Sequence, residues 1–158
     1  MAEIVFVDTS VSLNLLNVPR KNSDEKRLTG EFKRLALAGA LFVIPIAAVV
    51  EVGNHIAQLP SGHDRRDRAQ QFARYLQASV DGRPPWVVSD ASWDKAFLSR
   101  LLDGHGPRPG LVDLCATEIG SGDAAILHEL DRFRGRTDFP LAKHTRLWTL
   151  DAKLAAHT

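Results

Sequence analysis

Cysteine, methionine and tyrosine each occur only once in this chain of 158 residues. A lone Cys115 excludes an intramolecular disulfide, and with no partner acid or base that the sequence can assign to it, it reads as a core thiol. No apolar run is long enough to cross a bilayer; the longest, Ala40 to Val50, is cut by Pro45. Neither charge sign is in excess, with 20 Lys and Arg against 19 Asp and Glu. That balance neither demands nor excludes nucleic acid; the distribution of charge decides it. Aromatic residues form no interleaved platform for stacking bases, and Trp86, Trp93 and Trp148 read as core or interface residues. No Gly-x-Gly-x-x-Gly follows the first apolar segment, which argues against a dinucleotide cofactor. Glu51 and His55 lack the preceding histidine of His-Glu-x-x-His, so zinc peptidase chemistry is not supported. No basic and apolar leader precedes the first strand-like run, and the expectation is a cytoplasmic protein of one domain over 1–158.

What is present is an alternation of short apolar runs and amphipathic segments. Ile4 to Val7, Leu41 to Ile44, Trp86 to Val88 and Leu147 to Leu150 read as strands. Between them lie helix-like segments: Val11 to Leu16, Glu25 to Ala38 with Leu28, Phe32, Leu35 and Leu37 at helical spacing, Ile46 to Gln58, and the basic His63 to Ser79. Gly39 suits the end of the second of these. Ala91 to Leu102 follows, with Ser89 or Asp90 as its cap, then Asp123 to Arg132 and a short terminal helix. Leu111 to Ile119 is ambiguous, and the Gly- and Pro-rich His105 to Gly110 is the loop expected to move most. Strands alternating with helices predict a three-layer α/β/α fold around a central parallel sheet.

Four acids stand out against this pattern. Asp8 ends the run Ile4-Val5-Phe6-Val7 and Asp151 ends Trp148-Thr149-Leu150, each just before a helix. Both also suit helix N-caps. Glu51 lies in an almost wholly apolar stretch with no Lys or Arg within a turn; a hydrogen bond to His55 is its plain structural alternative. Asp123 follows Gly120-Ser121-Gly122 at the start of a helix, where Asp113 and Glu118 compete for the same role. Strand ends are where ligands bind in open α/β sheets. Carboxylates converging there without basic partners repel one another, and a divalent cation is what normally reconciles them.

Taken in order, Val5-Phe6-Val7-Asp8-Thr9-Ser10, Ile44-Pro45 through Glu51, Gly120-Ser121-Gly122-Asp123-Ala124-Ala125-Ile126 and Leu147-Trp148-Thr149-Leu150-Asp151 resemble the PIN domain, a metal-dependent nuclease fold. The resemblance covers essentially the whole chain, with His63 to Gly110 matched only in helical character. It implies a PIN-like three-layer fold and an endoribonuclease that hydrolyses RNA phosphodiester bonds with Mg²⁺ or Mn²⁺. Catalytic residues would be Asp8, Glu51, Asp123 and Asp151. Asp8 and Asp123 would ligate the metal, with Asp151 as a further ligand and Glu51 holding water or a second ion. Thr9, Ser10, Ser121 and Thr149 would orient these groups. Arg65, Arg66, Arg68, Lys143 and Arg146 are the candidate RNA contacts, with His144 and the Arg132, Arg134, Arg136 cluster as further basic groups.

Small PIN proteins of this length imply, by the same resemblance, a VapC-type toxin: a homodimer silenced by an antitoxin in a groove between the Glu25–Ala38 and Ile46–Gln58 helices. Two alternatives remain, a stand-alone PIN nuclease of RNA processing or defence and a non-catalytic PIN-like scaffold that binds RNA or protein. An aspartyl-nucleophile phosphohydrolase needs a second Asp two residues after Asp8, where Ser10 stands.

Overall fold

The computed structural model describes residues 3–158; Met1 and Ala2, the start of the leaderless reading, lie outside the described residues. The chain begins with β1 (Ile4–Val7) and α1 (Thr9–Leu15), then α2 (Glu25–Leu37), β2 (Leu41–Val43), α3 (Ile46–Ala57) and α4 (Gly62–Val80). It continues through β3 (Trp86–Val87), α5 (Lys95–Asp103), α6 (Leu111–Ala116), α7 (Ser121–Arg134), β4 (Arg146–Trp148) and α8 (Ala152–Ala155). The fold is α/β. Its sheet, among the described residues, has four strands, all parallel, in the order β3-β2-β1-β4.

The strands are apolar throughout because both faces of the sheet are covered. Side chains alternate across a strand, so Val5 and Val7 join α1, α2 and part of α4 through Val11, Leu15, Leu28, Leu35 and Tyr75. Ile4 and Phe6 point the other way, into α7 and its Leu130 and Phe133. Phe6 and Phe133 meet with ring centroids 5.3 Å apart. Three layers result, as the alternation predicts.

The sheet order fixes where a ligand can enter. From β1 the chain steps to β2 and β3 on one side; β4 then returns to the other side of β1. The carboxyl ends of β1 and β4 therefore flank the point where the strand order reverses, the place at which open parallel sheets leave a crevice.

Several boundaries differ from the sequence reading. α5 starts at Lys95, capped by Asp94, whose carboxylate accepts from the Phe97 amide. Ser89 and Asp90 do not cap it: the Ser89 hydroxyl is committed to Glu129, and Asp90 has a left-handed φ of 56°. β4 ends at Trp148, so Thr149 and Leu150 belong to the turn beyond it. Leu111 to Ala116 is helix, which buries Leu114 and turns Cys115 outward; the thiol is exposed rather than in the core. Leu37 is 90% exposed, past the last turn of α2 that packs on the sheet. Gly39 does follow that helix, at a φ of 87°.

The 104–110 loop makes contacts within itself and to two distant segments. His105 and Arg108 pair their backbones, and Arg108 spans from the Asp131 carboxylate, at 2.7 Å, to the His157 carbonyl. A Cβ at Gly110 would lie 2.2 Å from the Leu102 carbonyl oxygen, so glycine is what lets the two chains touch.

Candidate active site

Asp8 is the first residue past β1, and register carries it to the reversal point. Val7 lies beside Trp148 of β4, and the Asp8 amide donates to the Trp148 carbonyl at 3.0 Å. Asp8 occupies the N-cap position of α1, yet its side chain makes no capping bond. Instead Oδ2 accepts from Ser10 Oγ at 2.8 Å and from Thr149 Oγ1 at 2.7 Å. The two hydroxyls fix the carboxylate through this one oxygen. Asp8 is 3% exposed, and Oδ1 has no partner among the described residues. A buried carboxylate oxygen with nothing bound to it is costly unless a ligand completes it.

α3 brings Glu51 to the same place. Its Oε2 accepts from Thr9 Oγ1 at 2.9 Å, so α1 rather than His55 holds it. Gly120 starts α7, and Asp123 lies in the first turn with no capping bond. Gly122 leaves room for Glu51: a Cβ there would lie 1.7 Å from Glu51 Oε1. Asp151 does cap its helix, accepting from the Lys153 and Leu154 amides through Oδ1. Thr149 links the two acids, since Oγ1 donates to Asp8 and accepts from the Asp151 amide.

Asp8, Glu51, Asp123 and Asp151 thus line one open cleft of about 460 Å³, together with Thr9 and Ser10. Burial, and then the charges of Asp8, Glu51 and Asp151, push the half-buried Asp123 carboxyl up to about 6. Asp113 is outside this cleft, on the exposed side of α6, and Glu118 pairs with Lys153. Of these three acids, Asp123 is the one that lines the cleft. The four ring the cleft rather than meet at a point: among the described residues, no three His, Cys, Asp or Glu side chains rest close enough to enclose one ion. Ser121 lies apart, in a neighbouring hollow with Trp93 and Phe97.

The five basic residues nominated from sequence are not at this cleft. Arg146 stands at the start of β4, on the opposite edge of the sheet, paired with Glu3 at 2.8 Å, and Lys143 precedes it there. Arg68 donates to the Leu16 carbonyl and sits 3.6 Å from Asp67. Arg65 donates to the carbonyls of Leu59 and Pro60, and Arg66 is exposed beside it. Arg132, Arg134 and Arg136 are engaged with Asp94, the Thr145 carbonyl and Asp138. The basic residues that do line the cleft are Arg20 and Lys21, accompanied by Asn14, Ser23 and His55. Sequence reading passed over them because Pro19-Arg20-Lys21 looks like a plain polar connection. The one available signal was Asn14, a polar residue one turn beyond Ser10 and set between Leu13 and Leu15.

The open groove also differs in position from expectation. α1 packs against both α2 and α3, and the groove, about 740 Å³, lies between α3 and α4. Small side chains make it: Gly53, Ala57, Ala69 and Ala73 line it around Ile56, Phe72 and Leu76. No family model, curated protein or solved structure matches this chain.

Proposed function

We propose that this chain is a PIN-type endoribonuclease that uses Mg²⁺ or Mn²⁺ to hydrolyse RNA phosphodiester bonds. One observation carries the reading: four carboxylates line a cleft at the strand-order reversal, and one of them, Asp8, keeps a buried Oδ1 without a partner among the described residues. The donor set fits a hard cation, being all oxygen and anionic. A ring of acids suits Mg²⁺ better than a closed cage would, because that ion keeps several waters and is held by one or two carboxylates plus substrate phosphate. Asp123 supports the fit, since burial and then its acidic neighbours raise its carboxyl to about 6, and a cation relieves both.

Asp8 and Asp123 would hold the ion, with Asp151 through the oxygen its cap leaves free and Glu51 through water. When bound, the cation lowers the pKa of water and neutralises charge on the phosphate. The chain's own part is positioning. Ser10 and Thr149 fix Asp8, Thr9 fixes Glu51, and the missing side chain at Gly122 lets Glu51 reach the cleft. Hydrolysis adds water across a P–O bond, leaving a phosphomonoester and a free hydroxyl.

The test is incubation of purified protein with total RNA and Mn²⁺ or Mg²⁺, beside an EDTA control. Metal-dependent cutting supports the reading; intact RNA from folded protein favours the scaffold alternative. The apolar groove between α3 and α4 supports a protein ligand such as the antitoxin of a VapC-type pair. In that role, expression of the chain alone arrests growth, and Asp8→Asn relieves the arrest.

A further inference from the structure

Four carboxylates around one cleft pose a problem for a polyanionic substrate. Phosphates approaching Asp8, Glu51, Asp123 and Asp151 meet charge of their own sign, so entry needs a fixed positive group nearby. Among the described residues, Arg20 and Lys21 are the only Arg or Lys side chains lining the cleft. Both are exposed, and neither forms an ion pair with another described residue. Many other arginines of this chain are spent on carboxylates or carbonyls.

The loop that carries them is held in an unusual backbone. Asn17 and Arg20 both adopt left-handed φ, 51° and 67°. That conformation is disfavoured for an arginine and persists only where surrounding contacts impose it. The contacts are present. The Lys21 amide donates to the Val18 carbonyl at 3.0 Å, Val18 is buried, and Asn22 Nδ2 donates to Asn17 Oδ1. Asn14, 4% exposed, ties the loop to the acids: Nδ2 donates to the Ser10 carbonyl at 2.9 Å, and Oδ1 accepts from the Asp24 amide at 2.9 Å. The segment that fixes Asp8 through Ser10 therefore also fixes the exit of the loop.

Resting on the ribonuclease reading of the cleft, we infer that the loop 17–23 is its substrate clamp, with Arg20 and Lys21 gripping the RNA phosphates beside the one that is cut. Arg20 offers a planar fork matched to phosphate oxygens, and Lys21 a mobile point charge. Among the described residues, no Phe, Tyr or Trp lines the cleft, so the clamp reads the sugar–phosphate backbone and discriminates weakly among bases. Base preference, where present, then comes from RNA shape.

Steady-state cleavage of a short fluorescent single-stranded RNA in Mg²⁺, over a series of salt concentrations, tests this. The variant is Arg20→Gly with Lys21→Ala: glycine accepts the left-handed backbone, so the loop keeps its path while losing both charges. Expected are a KM raised roughly tenfold or more, a kcat within about threefold, and a salt slope of log(kcat/KM) shallower by about 1.4, two single-strand phosphate contacts. Arg20→Lys restores most of the slope, which a merely structural role would not do. Arg66→Ala, outside the cleft, leaves all three unchanged. If wild type cuts but the double variant keeps its KM and salt slope, the clamp is overturned and the nuclease stands. If wild type does not cut, the nuclease reading falls and the clamp with it.

Discussion

At Gly122 a missing side chain decides where the Glu51 carboxylate can rest. Any Cβ there intrudes on Glu51 Oε1, the far end of a flexible side chain. Glu51 can move away cheaply, so Gly122→Ala is expected to leave the melting temperature within a few degrees. The displaced carboxylate loses its Thr9 bond and its position, and RNA cleavage falls on the order of tenfold to a hundredfold. Comparison of kcat and melting temperature checks this; a fall in both together would assign Gly122 to packing alone. Asp151 divides in the same way. Asp151→Asn keeps a side-chain oxygen to cap α8 and removes only charge, whereas Asp151→Ala also costs about 1 kcal/mol of stability. Denaturant melts of the pair separate the cap from the site.

At this scale the acids were legible and the cations were not. Asp8 and Asp151 end apolar runs, and Glu51 interrupts one, so each stands out locally. Capping was the rival explanation; it holds for Asp151 and fails for Asp8 and Asp123. Arg20 and Lys21 reach the cleft only because a left-handed turn folds them back, and nothing in Pro19-Arg20-Lys21 encodes that turn.

Among the elements, α3 depends on α7 for its first turn. Pro45 and Ile46 open α3 without a side-chain cap of their own; Glu129 of α7 supplies it, accepting from the Ile46 amide at 2.9 Å and from Ser89 Oγ at 2.6 Å. Burial raises the Glu129 carboxyl above its usual range. Glu129→Ala takes the acceptor from the part-buried Ile46 amide and Ser89 hydroxyl and is expected to cost about 1–3 kcal/mol in a denaturant melt. Because α3 carries Glu51, cleavage should weaken as well. Strand and helix identity was readable from periodicity, but boundaries such as the start of α5 were not. Asp94 won that cap over Ser89 and Asp90 because Ser89 is claimed by Glu129, a contact 40 residues away.

For the whole molecule, alternating elements announced a parallel α/β sheet, while the strand order came from crossovers that local pattern does not encode. That order sets β1 beside β4 and creates the cleft. Among the described residues, no helix is long and apolar enough to cross a membrane. Global stability should carry the mark of His128, which is 1% exposed, with neither ring nitrogen hydrogen-bonded. The Pro109 carbonyl faces the ring outside hydrogen-bond geometry, and Asp131, Arg108 and Arg100 surround it. Burial lowers its pKa below the usual imidazole value of about 6.5. The unfolded chain then takes the proton first, so this contribution is present above 6.5 and is lost as pH falls through that window. Urea midpoints between pH 7.5 and 5.5 should drop less in His128→Leu than in wild type.

The central claim is that Asp8 and its neighbours hold a divalent cation. Its most direct test is Mn²⁺ binding followed by electron paramagnetic resonance, on wild type and Asp8→Asn with matched circular dichroism and melting temperature. The account predicts saturable binding to wild type and at least about tenfold weaker binding to the variant, in line with loss of a carboxylate that ligates the ion. Equal Mn²⁺ binding by both proteins, or none by either, would contradict it.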